Sequence, residues 1–164
     1  EAFNTSGGLG TLCETMHGQV RELNYKTIRY PGHHMLMKFL LQDLRLTERR
    51  ALLKDVMEHA IPVTFQDVVI VFCTVRGTRN GQFVEKSDLR KLYAREINGE
   101  IWSAIQLTTG AGICAVVDLV QQQQLKATGL IKQEEIPFDK FINNRFGQFY
   151  ESETFGLETL NSDG

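Results

Sequence analysis

Thr5-Ser6-Gly7-Gly8-Leu9-Gly10-Thr11 is the segment of this 164-residue chain best composed for ligand contact. Glycines let main-chain N–H groups approach an anion closely. Thr11 followed by Glu14 has capping-box spacing, which predicts a helix starting there. A helix N-terminus gathers unpaired N–H groups and the positive end of the helix dipole, surroundings that suit a carboxylate or a phosphate. The same glycines also suit a plain tight turn. A dinucleotide-binding G-x-G-x-x-G needs an apolar strand ahead of it, and only six residues, Glu1 to Ser6, precede the first glycine. The loop is therefore not read as a nicotinamide-binding fingerprint.

A second group of candidates, Lys26, Arg29, His33 and His34, lies around Pro31-Gly32. Strand alternation would put Lys26 with Ile28 and Tyr30 and would put Arg29 with Tyr25 and Thr27, so the four cannot all converge. Arg29 is the better anion ligand, because its planar fork grips a carboxylate at two points and the turn beside it leaves room for one. Adjacent histidines at a helix start point about 100° apart and make a poor metal pair, which leaves His33 as a polar contributor. His17 and His59 stand alone. Asp43, Asp67 and Asp118 have no partner acid at a useful spacing, and no Ser/His/Asp or Cys/His arrangement emerges, so self-contained hydrolysis is not expected.

The elements that would position these residues follow from periodicity. Gln19 to Tyr30 reads as a long strand closed by Pro31-Gly32. Leu36, Phe39, Leu40 and Leu44 fall at helical spacing, and Thr47 is the expected N-cap of a second helix that Pro62 ends. Val68 to Val75 is apolar at consecutive positions, the pattern of a strand covered on both faces. Asn80-Gly81 and Asn98-Gly99 are two-residue hairpin signals. Glu100 to Gln124 reads as one long helix with a small-residue face. Gly110 and Gly112 each cost roughly 1 kcal/mol there, which implies close approach by a neighbouring helix, a backbone or a ligand. A short strand past Leu130, a short helix around Phe138 to Ile142 and a poorly ordered polar tail from Glu151 complete the reading.

Composition sets the outer limits. Hydrophobic residues at 42%, charged residues at 23% and a net charge of −2 are ordinary for one globular domain and supply no basic field for nucleic acid. Cys13, Cys73 and Cys114 lack paired spacing. Each is expected to be a buried small hydrophobe, and together they point to a reducing, cytoplasmic setting. No run of about 18 apolar residues is seen, so no membrane partner is expected. The start at Glu1, inside a loop, points to a chain cut from something longer.

Taken in order, these segments resemble the C-terminal, substrate-side domain of the saccharopine dehydrogenase family. The resemblance is carried by Thr5-Ser6-Gly7-Gly8-Leu9-Gly10-Thr11-Leu12 and by Leu23-Asn24-Tyr25-Lys26-Thr27-Ile28-Arg29-Tyr30-Pro31-Gly32-His33. Ala104-Ile105-Gln106-Leu107-Thr108-Thr109-Gly110 and Asn144-Arg145-Phe146-Gly147 extend it to about Tyr150. It implies one α+β domain over 1–150, with a mixed, largely antiparallel sheet that pairs subunits and helices mainly on one face, followed by a polar tail over 151–164. It further implies an NAD(P)-dependent oxidoreductase acting on a C–N bond of an amino acid. NAD or NADP would sit on a separate, preceding Rossmann domain, and this chain would bind no nucleotide itself. On that basis Ser6, Gly7 and Gly8 would line the substrate cleft, Arg29 would meet a substrate carboxylate and His33 would add a polar group. The chain would form a homodimer. The spelling of the motifs is also similar to lysine 6-dehydrogenases and to polyamine-precursor reductases. The competing class is a stand-alone dimerisation or binding module.

Overall fold

Residues 1–4, 8–126 and 128–151 are described by the computed structural model, and their contacts divide the chain into two compact units. The first comprises Glu1–Val63 with Ile131–Glu135, and the second Thr64–Leu130 with the segment from Ile136 onward. Helices and antiparallel strands occur in separate stretches, so the chain is of the α+β class.

In the first unit, β1 (Ala2–Phe3) pairs with β2 (Thr27–Ile28), and reciprocal main-chain bonds between Glu1 and Arg29, at 2.7 and 2.9 Å, extend the ladder by one pair. The long strand expected over 19–30 is therefore only two residues, because β1 is just as short and a strand persists no further than its partner. The helix α1 (Leu12–Thr15) begins where the sequence placed it, but Thr11 makes no side-chain cap. Its hydroxyl donates to Glu134 instead (3.0 Å), and Thr15 donates to the other oxygen of the same carboxylate. The helix α2 (His33–Lys38) runs on into a π-helical turn over Phe39–Asp43, closed by a Leu44 N–H to Phe39 carbonyl bond of 2.9 Å. Thr47 is not an N-cap. It lies in a 3₁₀ turn, its hydroxyl donates to the Leu41 carbonyl (3.3 Å), and α3 (Arg50–Ala60) starts after Arg49.

The second unit is organised by a long hairpin, β3 (Val68–Arg79) and β4 (Gln82–Tyr93), turning at Asn80-Gly81. Both turn residues have positive φ, at 54° and 77°, which is the type I′ geometry that the Asn-Gly pair favours. A shorter hairpin, β5 (Arg95–Ile97) with β6 (Glu100–Trp102), turns the same way at Asn98-Gly99. β6 takes the first residues of the stretch expected to be helical, and α4 spans Ala104–Gln121. The strands form three separate two-stranded ribbons among the described residues rather than one sheet, because both hairpins close locally and neither pairs with another strand.

The start of α4 is fully capped. Ser103 Oγ accepts the Gln106 N–H (3.3 Å), and Gln106 Oε1 accepts the Ser103 N–H (3.0 Å). Asp67 accepts the next two orphan donors, Ala104 N–H at 2.7 Å and Ile105 N–H at 3.0 Å. Among the described residues the buried apolar side chains all lie in this unit: Leu92 and five residues of α4, namely Ala104, Leu107, Ala111, Ala115 and Leu119. By length and composition α4 is long and apolar enough to cross a membrane, with 18 residues and a mean hydropathy of 1.4; Leu107 and Leu119 face the core, while Ile105, Ile113 and Val117 are exposed. The face of α4 carrying Gly112 meets Tyr150, whose hydroxyl donates to the Thr108 carbonyl (2.6 Å), while Gly110 has open space around it.

α5 (Phe138–Ile142) falls where periodicity put it. Past Leu130 there is a 3₁₀ turn at Gln133–Glu135 and, among the described residues, no strand. The expectation of a poorly ordered tail concerns 152–164, which lie outside the described residues. Two expectations are reversed. All three cysteines are exposed and unpaired rather than buried. The Val68–Val75 run is not covered on both faces: on the α4 side Val69, opposite buried Leu92, is half-buried while Val71, Cys73 and Val75 are exposed, because a single helix reaches only one end of a two-stranded ribbon.

Candidate functional site

Within the first unit, the short β1/β2 ladder brings Glu1, Phe3, Arg29, His33 and His34 to one place. Pro31-Gly32 turns the chain out of β2, and Gly32, at φ 91°, directs it into α2. The Phe3 ring meets both imidazoles, stacked on His33 at 5.9 Å and tilted against His34 at 5.2 Å. Glu1 Oε1 accepts the His34 main-chain N–H at 2.7 Å. That bond, above all, holds the Glu1 carboxyl below its ordinary value. Among the described residues no group of three metal-ligating side chains occurs, and the histidines are spent on an aromatic ring.

Arg29 is exposed. One Nη donates to the Ile28 carbonyl (3.0 Å), and no carboxylate pairs with the guanidinium among the described residues, so most of its fork faces solvent. Apolar residues near it in the chain are bare too: Ile28 is 71%, Tyr30 89% and Met35 68% exposed. A cleft of about 420 Å³ opens from His34 along α2 and the π turn, lined by Met37, Lys38, Leu41 and Gln42, within the size range of small-molecule sites.

Of the residues singled out from sequence, Arg29 and His33 are brought together. Gly8 is placed against Tyr25, where a Cβ would come within 2.9 Å of the ring, and its φ of 87° also excludes other residues. Ser6 and Gly7 lie outside the described residues. Glu134 escaped sequence reasoning altogether, since nothing local links it to Thr11 and Thr15. Its carboxyl is held low chiefly by the Thr15 hydroxyl.

The second unit holds a different polar cluster. Asp118, 3% exposed on α4, takes Asn144 Nδ2 (2.7 Å) and Gln122 Nε2 (2.7 Å) on one oxygen. Its other oxygen takes Arg145 Nε (3.0 Å) and Nη2 (2.6 Å). Every acceptor position is used, so this is a clamp between α4 and the segment after α5 rather than a vacant site. The cleft of about 340 Å³ beside it is lined by Lys140, which donates to the Gln124 carbonyl (3.3 Å), and by Arg145, already committed to Asp118.

The clamp predicts a pH dependence. The Asn144 amide, then Arg145, hold the Asp118 carboxyl below its ordinary value. A carboxylate depressed in the folded state stabilises the fold above its unfolded pKa of about 4, and that contribution disappears as pH falls through the lower folded value. Thermal melts from pH 7 to pH 2 are expected to show a fall in Tm at the acid end that is smaller in Asp118→Asn, which already melts lower at pH 7. Parallel curves for the two proteins would remove Asp118 from the acid response.

No family model and no solved structure matches this chain.

Proposed function

We propose that this chain is the substrate-side, subunit-pairing part of an NAD(P)-dependent oxidoreductase acting on a C–N bond of an amino acid. The observation that carries the reading is Arg29: an exposed guanidinium fork that pairs with no carboxylate among the described residues, in a segment whose Ile28, Tyr30 and Met35 are exposed as well. A cation set among exposed apolar side chains gains its strength when another body covers them, because a carboxylate held there is then bound in low dielectric. The apolar cleft that starts at His34 gives the rest of an amino-acid chain somewhere to lie. The motifs around Arg29 resemble those of the saccharopine dehydrogenase family, whose nucleotide-binding half would be the covering body. In that arrangement this chain orients the C–N carbon and excludes water, and the hydride chemistry is the cofactor's.

Subunit pairing draws on the β3/β4 ribbon. Directly opposed residues share a face, so Val68, Ile70, Phe72, Leu89 and Tyr93 lie together on the side away from α4, all exposed, with Phe72 at 63%. Five such side chains leave on the order of 500 Å² of apolar surface open, a face that lengthening the ribbon at its edge does not itself cover. A two-stranded ribbon is itself marginal in water, and further strands make it a stable sheet. Light scattering at micromolar concentration is expected to give twice the chain mass, and calorimetry is expected to show no binding of NAD or NADP to the chain alone. A monomer removes the pairing role. Micromolar nucleotide affinity removes the division of labour between two halves.

A further inference from the structure

We infer that the second copy adds edge-on to β4, antiparallel about a two-fold axis at Ser87, so that Lys86 of each chain faces Asp88 of the other and the two ribbons become one four-stranded sheet. The inference rests on the pairing reading above and specifies its geometry.

Both edges of the ribbon are open among the described residues, and each is a twelve-residue row of main-chain groups. Such edges pair with whatever strand is offered unless charge forbids it. The two edges differ in that respect. β3 carries Arg76 and Arg79 and no acid, so self-pairing there brings only like charges or apolar residues together. β4 carries Glu85, Lys86, Asp88, Arg90 and Lys91, with the signs interspersed.

Register on β4 is set by two constraints. The first is hydrogen bonding. A two-residue turn makes Arg79 and Gln82 the inward-bonded pair, and alternation then leaves the main-chain groups of Glu85, Ser87 and Leu89 pointing outward. Side chains approach most closely at the non-hydrogen-bonded pairs of a hairpin, and the contacts follow that rule: Thr74 meets Ser87 at 2.8 Å and Arg76 meets Glu85 at 2.6 Å. A two-fold ladder centred on Ser87 therefore joins Ser87 to its copy and Glu85 to Leu89 of the second copy by main-chain bonds.

The second constraint is charge. With the axis at Ser87, Lys86 stands opposite Asp88 of the second copy twice over, at the closer, non-hydrogen-bonded spacing. Moving the axis by one residue sets Lys86 against its own copy or Asp88 against its own copy, and like charges directly opposed destabilise a sheet. Lys86 is exposed and makes no ion pair among the described residues. Asp88 is bonded to Arg90 at 2.7 Å yet keeps 55% of its side chain exposed, so it has an oxygen face to offer.

A charge swap on the full chain tests this, with mass and dissociation constant followed by light scattering and analytical ultracentrifugation and folding checked by circular dichroism. Lys86→Asp is expected to raise the dimer dissociation constant at least about 10-fold, since two attractive pairs become two repulsive ones. Adding Asp88→Lys to that variant is expected to restore it to near the starting value, because opposite charges again face each other. A folded double variant that stays dissociated, or a Lys86→Asp protein that pairs as well as the parent, overturns the edge-on register while leaving pairing itself intact. Phe72→Asp, on the open face, is expected to remain dimeric. If it dissociates while the charge variants do not, the ribbons meet face to face instead. A parent protein that is monomeric throughout overturns both this geometry and the pairing role.

Discussion

Replacing Gly147 by alanine is expected to detach the C-terminal segment from α4 and to destabilise the chain by about 4 kcal/mol or more, the range reached by buried steric conflicts. Gly147 is buried, and a Cβ there overlaps the Phe141 carbonyl at the end of α5, with the Ile142 main chain next in line. Both obstacles are backbone, so no side-chain rotation relieves the overlap and the segment itself has to move. That segment carries Asn144 and Arg145, which hold Asp118, and Tyr150, whose hydroxyl reaches the Thr108 carbonyl and whose own carbonyl accepts from Arg90 at 3.0 Å. One methyl group therefore disturbs three separate attachments. Urea denaturation followed by circular dichroism measures the loss, and hydrogen exchange along α4 locates it. Gly110→Ala supplies the contrast. Nothing lies within 4 Å of a Cβ there, so helix propensity alone predicts a gain of up to about 1 kcal/mol. Equal melting temperatures for Gly147→Ala and the parent would show that this segment is not seated on α5 as described.

How far the sequence carried the fold depends on the range of the interactions involved. The two Asn-Gly hairpins and α5 were legible because turn chemistry and short-range periodicity specify them within a few residues. The α4 cap was equally local. Ser103-x-x-Gln106 is the signal, and it places the helix start after the β6 residues Glu100–Trp102. The failures are long-range. Val68–Val75 has the composition of a doubly covered strand, but what covers a strand is set by the number of layers available, and a single helix supplies one. Gln19–Tyr30 has β propensity throughout, yet only Thr27 and Ile28 find a partner, at Ala2 and Phe3. Thr11 fits a capping box, and its hydroxyl goes instead to Glu134, a residue 123 positions away.

The site divides in the same way. Arg29 and His33 were visible as residue types beside a Pro-Gly turn, and β1/β2 does bring them together. The partners that fix their surroundings, Glu1 and Phe3, lie at the far side of a ladder that sequence spacing does not reveal. Asp118 has no acid at a useful spacing in the sequence to mark it. Its partners are an amide and a cation 26 and 27 positions on, Asn144 and Arg145, which no local spacing ties to it.

In the complete enzyme that the proposed function implies, Arg29→Lys is expected to lower kcat/KM roughly 10-fold or more, and Arg29→Ala to lower it further. Lysine keeps the positive charge but offers a single point donor, so it loses the two-point grip that fixes a carboxylate in plane. Alanine loses the charge as well. Little of the fold depends on the guanidinium. Among the described residues its side chain bonds only to the neighbouring Ile28 carbonyl, and the ladder to Glu1 uses Arg29 main-chain atoms that both substitutions retain. Melting temperatures are therefore expected to stay close to the parent while the kinetics change, which separates binding from stability. The split between the constants is also informative. If Arg29 only anchors the carboxylate, KM rises and kcat holds, whereas a fall in kcat means that the grip also sets the distance from the C–N carbon to the nicotinamide. Substrate analogues sharpen the point, because an amine lacking the carboxylate has nothing for Arg29 to hold and should be turned over equally by all three proteins. Unchanged kinetics in Arg29→Ala with the carboxylate-bearing substrate would take Arg29 out of the site.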